Sequence, residues 1–213
     1  MGLAFDPLIY INCRDRVTPL RQLVGWLEQA GHDRILLLDN DSTYEPLIEY
    51  LAESPHTVIP FATNHGARSL WTVLGPPNDW FIYTDPDIVP TADCPLDAVD
   101  RLHDILLRNP DVPKAGLGLY LDDVPVTMPS YAWETCPTIR GAAVEPGAYR
   151  SLIDTTFALY RPDAEFLYEG ARTSAPYEAR HVSPAWYGTA LDAEDAYYLA
   201  HALAGPTGSS WKG

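Results

Sequence analysis

Short apolar runs alternate along the first half of the chain with segments whose apolar positions recur every three or four residues. Leu8-Ile9-Tyr10-Ile11 has the character of a buried strand and ends in the polar cluster Asn12-Cys13-Arg14-Asp15-Arg16. Residues 18–30 then read as a helix, with Thr18-Pro19 as its cap and first turn and Gly31 as its stop. The unit repeats. Residues 35–38 form a second strand, ending in Asp39-Asn40-Asp41-Ser42-Thr43, and residues 44–53 an amphipathic helix with Leu47, Ile48 and Leu51 on one face. A third strand, 57–61, runs into Thr63-Asn64-His65-Gly66-Ala67-Arg68, and a short helix over 69–74 is stopped by Gly75-Pro76-Pro77-Asn78. Trp80-Phe81-Ile82-Tyr83 is a fourth strand that breaks off at Thr84-Asp85-Pro86-Asp87. This alternation predicts an α/β fold: a Rossmann-like single domain with a mostly parallel central sheet flanked by helices. Ligand groups in such sheets gather at the carboxyl ends of the strands, and each of the four polar clusters falls there.

The second half is less regular. Residues 96–107 have helical spacing, and 116–121 read as a strand followed by Asp122 and Asp123. Residues 125–146 are Pro-rich and irregular, and contain Tyr131, Trp133, Glu134 and Arg140; a loop of that length in a compact domain reads as a substrate lid. Residues 152–160 have strand propensity, with Asp154 an awkward charge inside it. A terminal helix is predicted over 193–204, and 205–213, rich in Gly, Ser and Pro, as a frayed tail.

Composition narrows the classes. At 213 residues, 46% apolar and 11% aromatic, the chain suits one globular domain over 1–204. Its net charge of −15 disfavours non-specific attraction to nucleic acid or to an anionic membrane. Three widely spaced cysteines give neither a disulfide framework nor a CxxC metal signature. With no signal-like leader and no long apolar span, a soluble cytoplasmic protein is expected.

The chemistry concentrates at Asp85 and Asp87. Two residues apart in extended chain, they project the same way and repel unless a cation lies between them. No Lys or Arg occurs within ten residues on either side, so a divalent ion, Mg2+ or Mn2+, is the natural counter-charge. The bland alternative is a solvated Thr-Asp-Pro-Asp turn.

A first strand ending in Asn-x-Arg-Asp, a second in Leu-Leu-Asp-Asn-Asp-Ser-Thr and a fourth in Asp-Pro-Asp together resemble the GT-A glycosyltransferases, in particular the family 2-like branch and its small stand-alone, phage-type members. The resemblance covers residues 8–121. It implies a nucleotide-binding half over about 8–95 and an acceptor half over about 96–204. Asp85 and Asp87 match the DxD motif, which holds a divalent ion on the sugar-nucleotide diphosphate. Asp39 matches the carboxylate that accepts a hydrogen bond from a pyrimidine base, commonly uracil, so the implied donor is a UDP-sugar. Asn12, Arg14, Asp15 and Arg68 would complete the nucleotide site, and His181 would join Asp85 and Asp87 at the metal. Asp154 and Glu134 are the candidate bases for the acceptor hydroxyl, and Tyr131 and Trp133 the surfaces on which an acceptor sugar or unstacked base could stack. The acceptor stays open between a small molecule, a protein and a hydroxymethylated pyrimidine in DNA; no membrane partner is expected.

Two rivals remain. Leu37-Leu38-Asp39-Asn40-Asp41-Ser42-Thr43 also fits the first motif of the haloacid dehalogenase-like phosphohydrolases, with Asp39 as nucleophile, Asp41 as acid/base, Asp122 and Asp123 as metal ligands and Lys114 as the lysine. That reading leaves Asp85-Pro86-Asp87 unexplained. A non-catalytic nucleotide-binding module on the same sheet is the other. A sugar nucleotidyltransferase would want a Gly-rich loop after the first strand, where 12–16 contains no glycine.

Overall fold

The computed structural model describes residues 5–136 and 139–202. Strands β1 (Leu8–Cys13), β2 (Ile35–Asn40), β3 (Thr57–Phe61) and β4 (Phe81–Thr84) form where the apolar runs predict them, separated by helices α1 (Thr18–Ala30), α2 (Glu45–Glu53) and α3 (Ser69–Val73). They lie in the order β3-β2-β1-β4 and every pair is parallel. Helix α1 buries Leu20, Leu23, Val24 and Leu27, the recurrence that puts one stripe on the sheet, in a single core cluster with Ile9, Ile11 and Leu37. Gly31 ends it in the left-handed conformation, φ 94°, which glycine adopts at little cost.

The start of α1 differs from expectation. Thr18 does not cap it; the Val17 and Thr18 N–H groups donate to the carboxylate of Glu194, at 2.9 Å for Thr18. Helix α2 is capped from a distance as well. The buried Asp15 carboxylate accepts from the N–H groups of Thr43 (2.6 Å) and Tyr44 (2.9 Å), just ahead of Glu45. Both helix N-termini are thus satisfied by acids brought in by the fold rather than by the residue preceding the helix.

Beyond β4 come β5 (Ile88–Pro90), α4 (Ala98–Arg108), β6 (Lys114–Gly116), β7 (Gly118–Leu119), α5 (Pro129–Glu134), β8 (Arg140–Glu145), β9 (Ala148–Leu152), β10 (Ala158–Tyr160), β11 (Glu169–Thr173), β12 (Glu178–His181), α6 (Pro184–Tyr187) and α7 (Ala193–His201). Among the described residues the main sheet has nine strands, β3-β2-β1-β4-β10-β6-β11-β9-β8, and a second has three, β5-β12-β7. Strand β10 runs antiparallel to both β4 and β6, so the parallel order predicted for the first half gives way to a mixed sheet.

Three expectations change in this half. The strand over 116–121 splits at Leu117, so that β6 stays in the main sheet and β7 joins the small one. Gly118 permits the crossing, because a Cβ there would lie 2.4 Å from the Thr173 carbonyl oxygen. The Pro-rich stretch 125–146 is no irregular loop: Pro129 opens α5, and β8 pairs antiparallel with β9 at the sheet edge. The strand over 152–160 is broken by a turn, and Asp154 lies exposed in it. Lys114 fastens that turn. Its buried ammonium donates to the carbonyls of Ile153 (2.7 Å) and Asp154 (3.3 Å) and to the Tyr160 hydroxyl (3.0 Å). The predicted tail 205–213 lies outside the described residues. Among the described residues no helix is long and apolar enough to cross a membrane.

Two outcomes follow for stability. Asp15→Ala strands two N–H groups at the start of α2, and urea unfolding should show a loss of about 1–2 kcal/mol. Burial lowers the Lys114 pKa from 10.5 to about 7. Across that window the unfolded chain binds a proton that the folded chain lacks, so stability rises with pH. In Lys114→Met the rise in unfolding free energy over that range should flatten; an unchanged slope would mean that Lys114 is not its source.

Candidate active site

Strand β4 delivers Asp85 to the carboxyl rim of the parallel strands. Its N–H donates to the Thr155 carbonyl at 2.9 Å, and its Oδ2 accepts from the Thr155 hydroxyl at 2.5 Å. Burial, reinforced by the negative charge of Asp87, pushes its carboxyl well above the usual carboxylate range. Asp87 is almost wholly enclosed, at 1% exposure, with its Oδ2 2.8 Å from Arg16 Nη1 and 3.3 Å from His181 Nδ1. Burial alone would raise this carboxyl, but Arg16 and His181 together hold it below the usual range. The two acids therefore differ in character: Asp87 is an anion in a fixed ion pair, and Asp85 holds a proton more readily.

The small sheet explains how His181 arrives. Antiparallel pairing of β12 with β5 sets His181 opposite Ile88, and the Val182 N–H donates to the Asp87 carbonyl at 2.8 Å. The imidazole stacks on Trp186, ring centres 4.5 Å apart and planes 3° from parallel, and burial lowers its pKa against the opposing pull of Asp87. Arg16 comes from just beyond β1, where its guanidinium lies 4.2 Å over the Tyr198 ring and 3.7 Å from the Asp195 carboxylate. Burial pushes that Asp195 carboxyl up to about 6. The counter-charge absent from the ten residues flanking Asp85 and Asp87 is thus supplied by Arg16 across the fold.

Other residues expected at the nucleotide are placed as follows. Asn12 donates to the Gly66 carbonyl at 3.4 Å and accepts from Ser69 Oγ at 2.7 Å. Arg14 donates to the carbonyls of Asn40 (2.7 Å), Asp41 (2.5 Å) and His201 (3.4 Å). With Asp15 capping α2, these three side chains tie the rim together. Asp39, half-buried at the end of β2, accepts from the Ser42 N–H at 3.1 Å, and is in register with Cys13. Arg68 is exposed, 4.3 Å over the Phe166 ring, and donates to the Tyr168 hydroxyl at 3.0 Å.

Among the elements that carry the residues expected to meet an acceptor, α5 docks on α6 through the Ser130 hydroxyl, which donates to the Trp186 carbonyl at 3.0 Å. Tyr131 is half-buried against the core, while Trp133 stands 61% exposed. Burial raises the pKa of Glu134; Arg172 opposes the shift and Asp154 adds to it. Asp154 also adds to the upward shift of Asp85, so its charge is felt at both ends of the site. Arg172, buried at 2% exposure, is a residue that sequence reasoning missed. A lone arginine in the small-residue strand Glu-Gly-Ala-Arg-Thr was the available signal.

Among the described residues no three His, Cys, Asp or Glu side chains form a ready-made metal cage. The half-buried Asp85, with Asp87 enclosed beside it against Arg16, instead fits an ion whose remaining ligands are substrate oxygens, the usual arrangement for Mg2+. The phosphohydrolase set is not assembled in this way. Lys114 lies four strands from Asp39, roughly 19 Å at 4.8 Å per strand, and Asp123 is paired with Arg180.

No protein-family model matches this sequence, and no curated protein matches it either. Among solved structures the chain is similar to a mannosyltransferase, PcManGT from Pyrobaculum calidifontis in complex with GDP-Man and Mn2+, with TM-score 0.50 and 13% identity over 75% of this chain and 46% of that one. It is also similar to S. aureus TarS (TM-score 0.44, 14% identity, 74% of this chain and 28% of that one). A third is HddC from Yersinia pseudotuberculosis complexed with GMP-PN (TM-score 0.47, 13% identity, 87% and 98%). The chain spans about half the length of the mannosyltransferase and about a quarter of TarS. What is shared at such identities is the course of the backbone. The chain has a Rossmann-like fold of the GT-A type, a mixed α/β domain with a large central sheet flanked by helices.

Proposed function

We propose that the chain is a glycosyltransferase that moves a sugar from a nucleotide-sugar donor to an acceptor hydroxyl, with Mn2+ or Mg2+ held by Asp85 and Asp87. The observation that carries this reading is the acid pair: two carboxylates confined at the tip of an inner parallel strand, at the rim where sheets of this kind bind ligands. When bound, the ion would offset charge growing on the departing diphosphate. Arg16, held against Asp87, adds a fixed positive charge beside it. A UDP-sugar is the expected donor through Asp39, and the GDP-Man of the structurally similar mannosyltransferase makes guanosine donors the next to test.

Glu134 is the proposed base. It takes the acceptor proton as the acceptor oxygen bonds to the anomeric carbon, and the electron pair of the broken sugar–phosphate bond leaves with the diphosphate. A carboxyl whose pKa burial has raised is the better proton acceptor, which favours Glu134 over the exposed Asp154. Trp133 and Tyr131 flank it with ring faces suited to a sugar. A net charge of −15 repels DNA, so a small acceptor is preferred to a hydroxymethylated pyrimidine.

Thermal melting with UDP-glucose, UDP-galactose and GDP-mannose, with and without Mn2+, tests the donor side. At least one UDP-sugar should raise the melting temperature in a Mn2+-dependent way, and Asp85→Asn with Asp87→Asn should remove that dependence. No shift with any of them in the unaltered chain would overturn the reading. On the acceptor side, Glu134→Gln should cut transfer about 10²–10⁴-fold. The unaltered enzyme should lose activity as pH falls through a value above that of an ordinary glutamate. If Asp154→Asn gives the larger loss, Asp154 is the base.

A further inference from the structure

Arg172 is one of the largest fully enclosed side chains in the molecule, and its charge is incompletely matched. One guanidinium nitrogen, Nη1, donates to the Leu117 carbonyl at 2.9 Å. Nε is buried with no hydrogen-bond partner among the described residues. No carboxylate oxygen among the described residues lies within 4.0 Å of it; the pairs that reach that distance involve other cations. A buried cation in that state is costly unless something anionic approaches it.

Its surroundings point toward the acceptor half. Register places Arg172 between Gly116 of β6 and Tyr149 of β9, on the sheet face that also carries Tyr83, two residues before Asp85. Three strand spacings, roughly 14 Å, separate Arg172 from Tyr83. Ala158 and Gly116, the intervening residues of that row, are small. Arg140 lies 4.6 Å over the Tyr149 ring, so a second cation stands beside the same patch in a chain of net charge −15. Glu134 of α5 feels the Arg172 charge without reaching ion-pair distance.

We infer that Arg172, with Arg140 and Tyr149 beside it, is an anion-binding subsite that recognises a carboxylate or phosphate on the acceptor, so that the enzyme prefers acidic or phosphorylated sugars to neutral ones. The anion supplies the counter-charge that Arg172 lacks, while Glu134, which feels the same guanidinium, takes the proton of the hydroxyl. A guanidinium suits this task because its planar N–H fork matches both oxyanions. That the anion belongs to the acceptor rests on the transferase reading; the anion binding itself does not.

The test is titration of the ¹⁵N-labelled full chain at fixed ionic strength with galactose, galacturonate and galactose 6-phosphate, following the arginine Nε–H signals. At least one anion should bind about ten-fold or more tightly than galactose, moving a signal that Arg172→Lys deletes. Which of the two binds distinguishes carboxylate from phosphate. Arg172→Met should bring anion and neutral sugar to equal affinity, and Arg172→Lys, which keeps the charge, should restore part of the difference. Equal affinity in the unaltered chain, or a preference that survives in both variants, would overturn the inference. A chain that binds galacturonate but melts unchanged with every nucleotide sugar and Mn2+ would sink the transferase reading and leave the subsite standing.

Discussion

Confining two carboxylates at the end of one buried strand is the constraint to which the rest of this molecule answers. Asp85 and Asp87 cannot both be charged there without support, and each neighbouring element supplies part of it. Thr155 donates to Asp85. Arg16 and His181 face Asp87. The second sheet brings His181 in, and the approach of α7 sets Tyr198 and Asp195 around Arg16. The support is uneven, which leaves one acid as a firm anion and the other open to a cation or a proton.

Charge also organises the second half of the chain. Lys114 and Arg172 are buried basic side chains on one sheet face, but they are matched differently. Lys114 has three oxygen acceptors and holds the turn that presents Asp154 and Thr155. Arg172 has one carbonyl and a nitrogen left over. One completes the scaffold, and the other keeps a buried nitrogen without a hydrogen-bond partner among the described residues.

The first half was legible because its signals are local. Apolar runs, Gly31 and the Asp85-Pro86-Asp87 break can each be read within a few residues, and the strands, helices and rim follow in order. What escaped depends on contacts between distant segments. Arg16 belongs to Asp87 only once β1 and β4 are neighbours, and Glu194 caps α1 only once α7 has docked. Thr18 looked like the cap because helix starts are usually satisfied by an adjacent side chain. The second half was harder because its strands are short and change sheets. Leu117 and the turn after Leu152 each interrupt a run whose propensity is continuous, and tertiary contacts override propensity there.

The Glu194 contact has a bearing on how the chain is made. Helix α1 is synthesised before α7, yet its first turn is satisfied by a carboxylate that lies 176 residues beyond Thr18. Arg14 reaching the His201 carbonyl and Tyr197 reaching Thr43 bind the same two regions. The first turn of α1 therefore stays incompletely sealed until α7 docks, and the same docking brings Asp195 and Tyr198 to Arg16 beside Asp87.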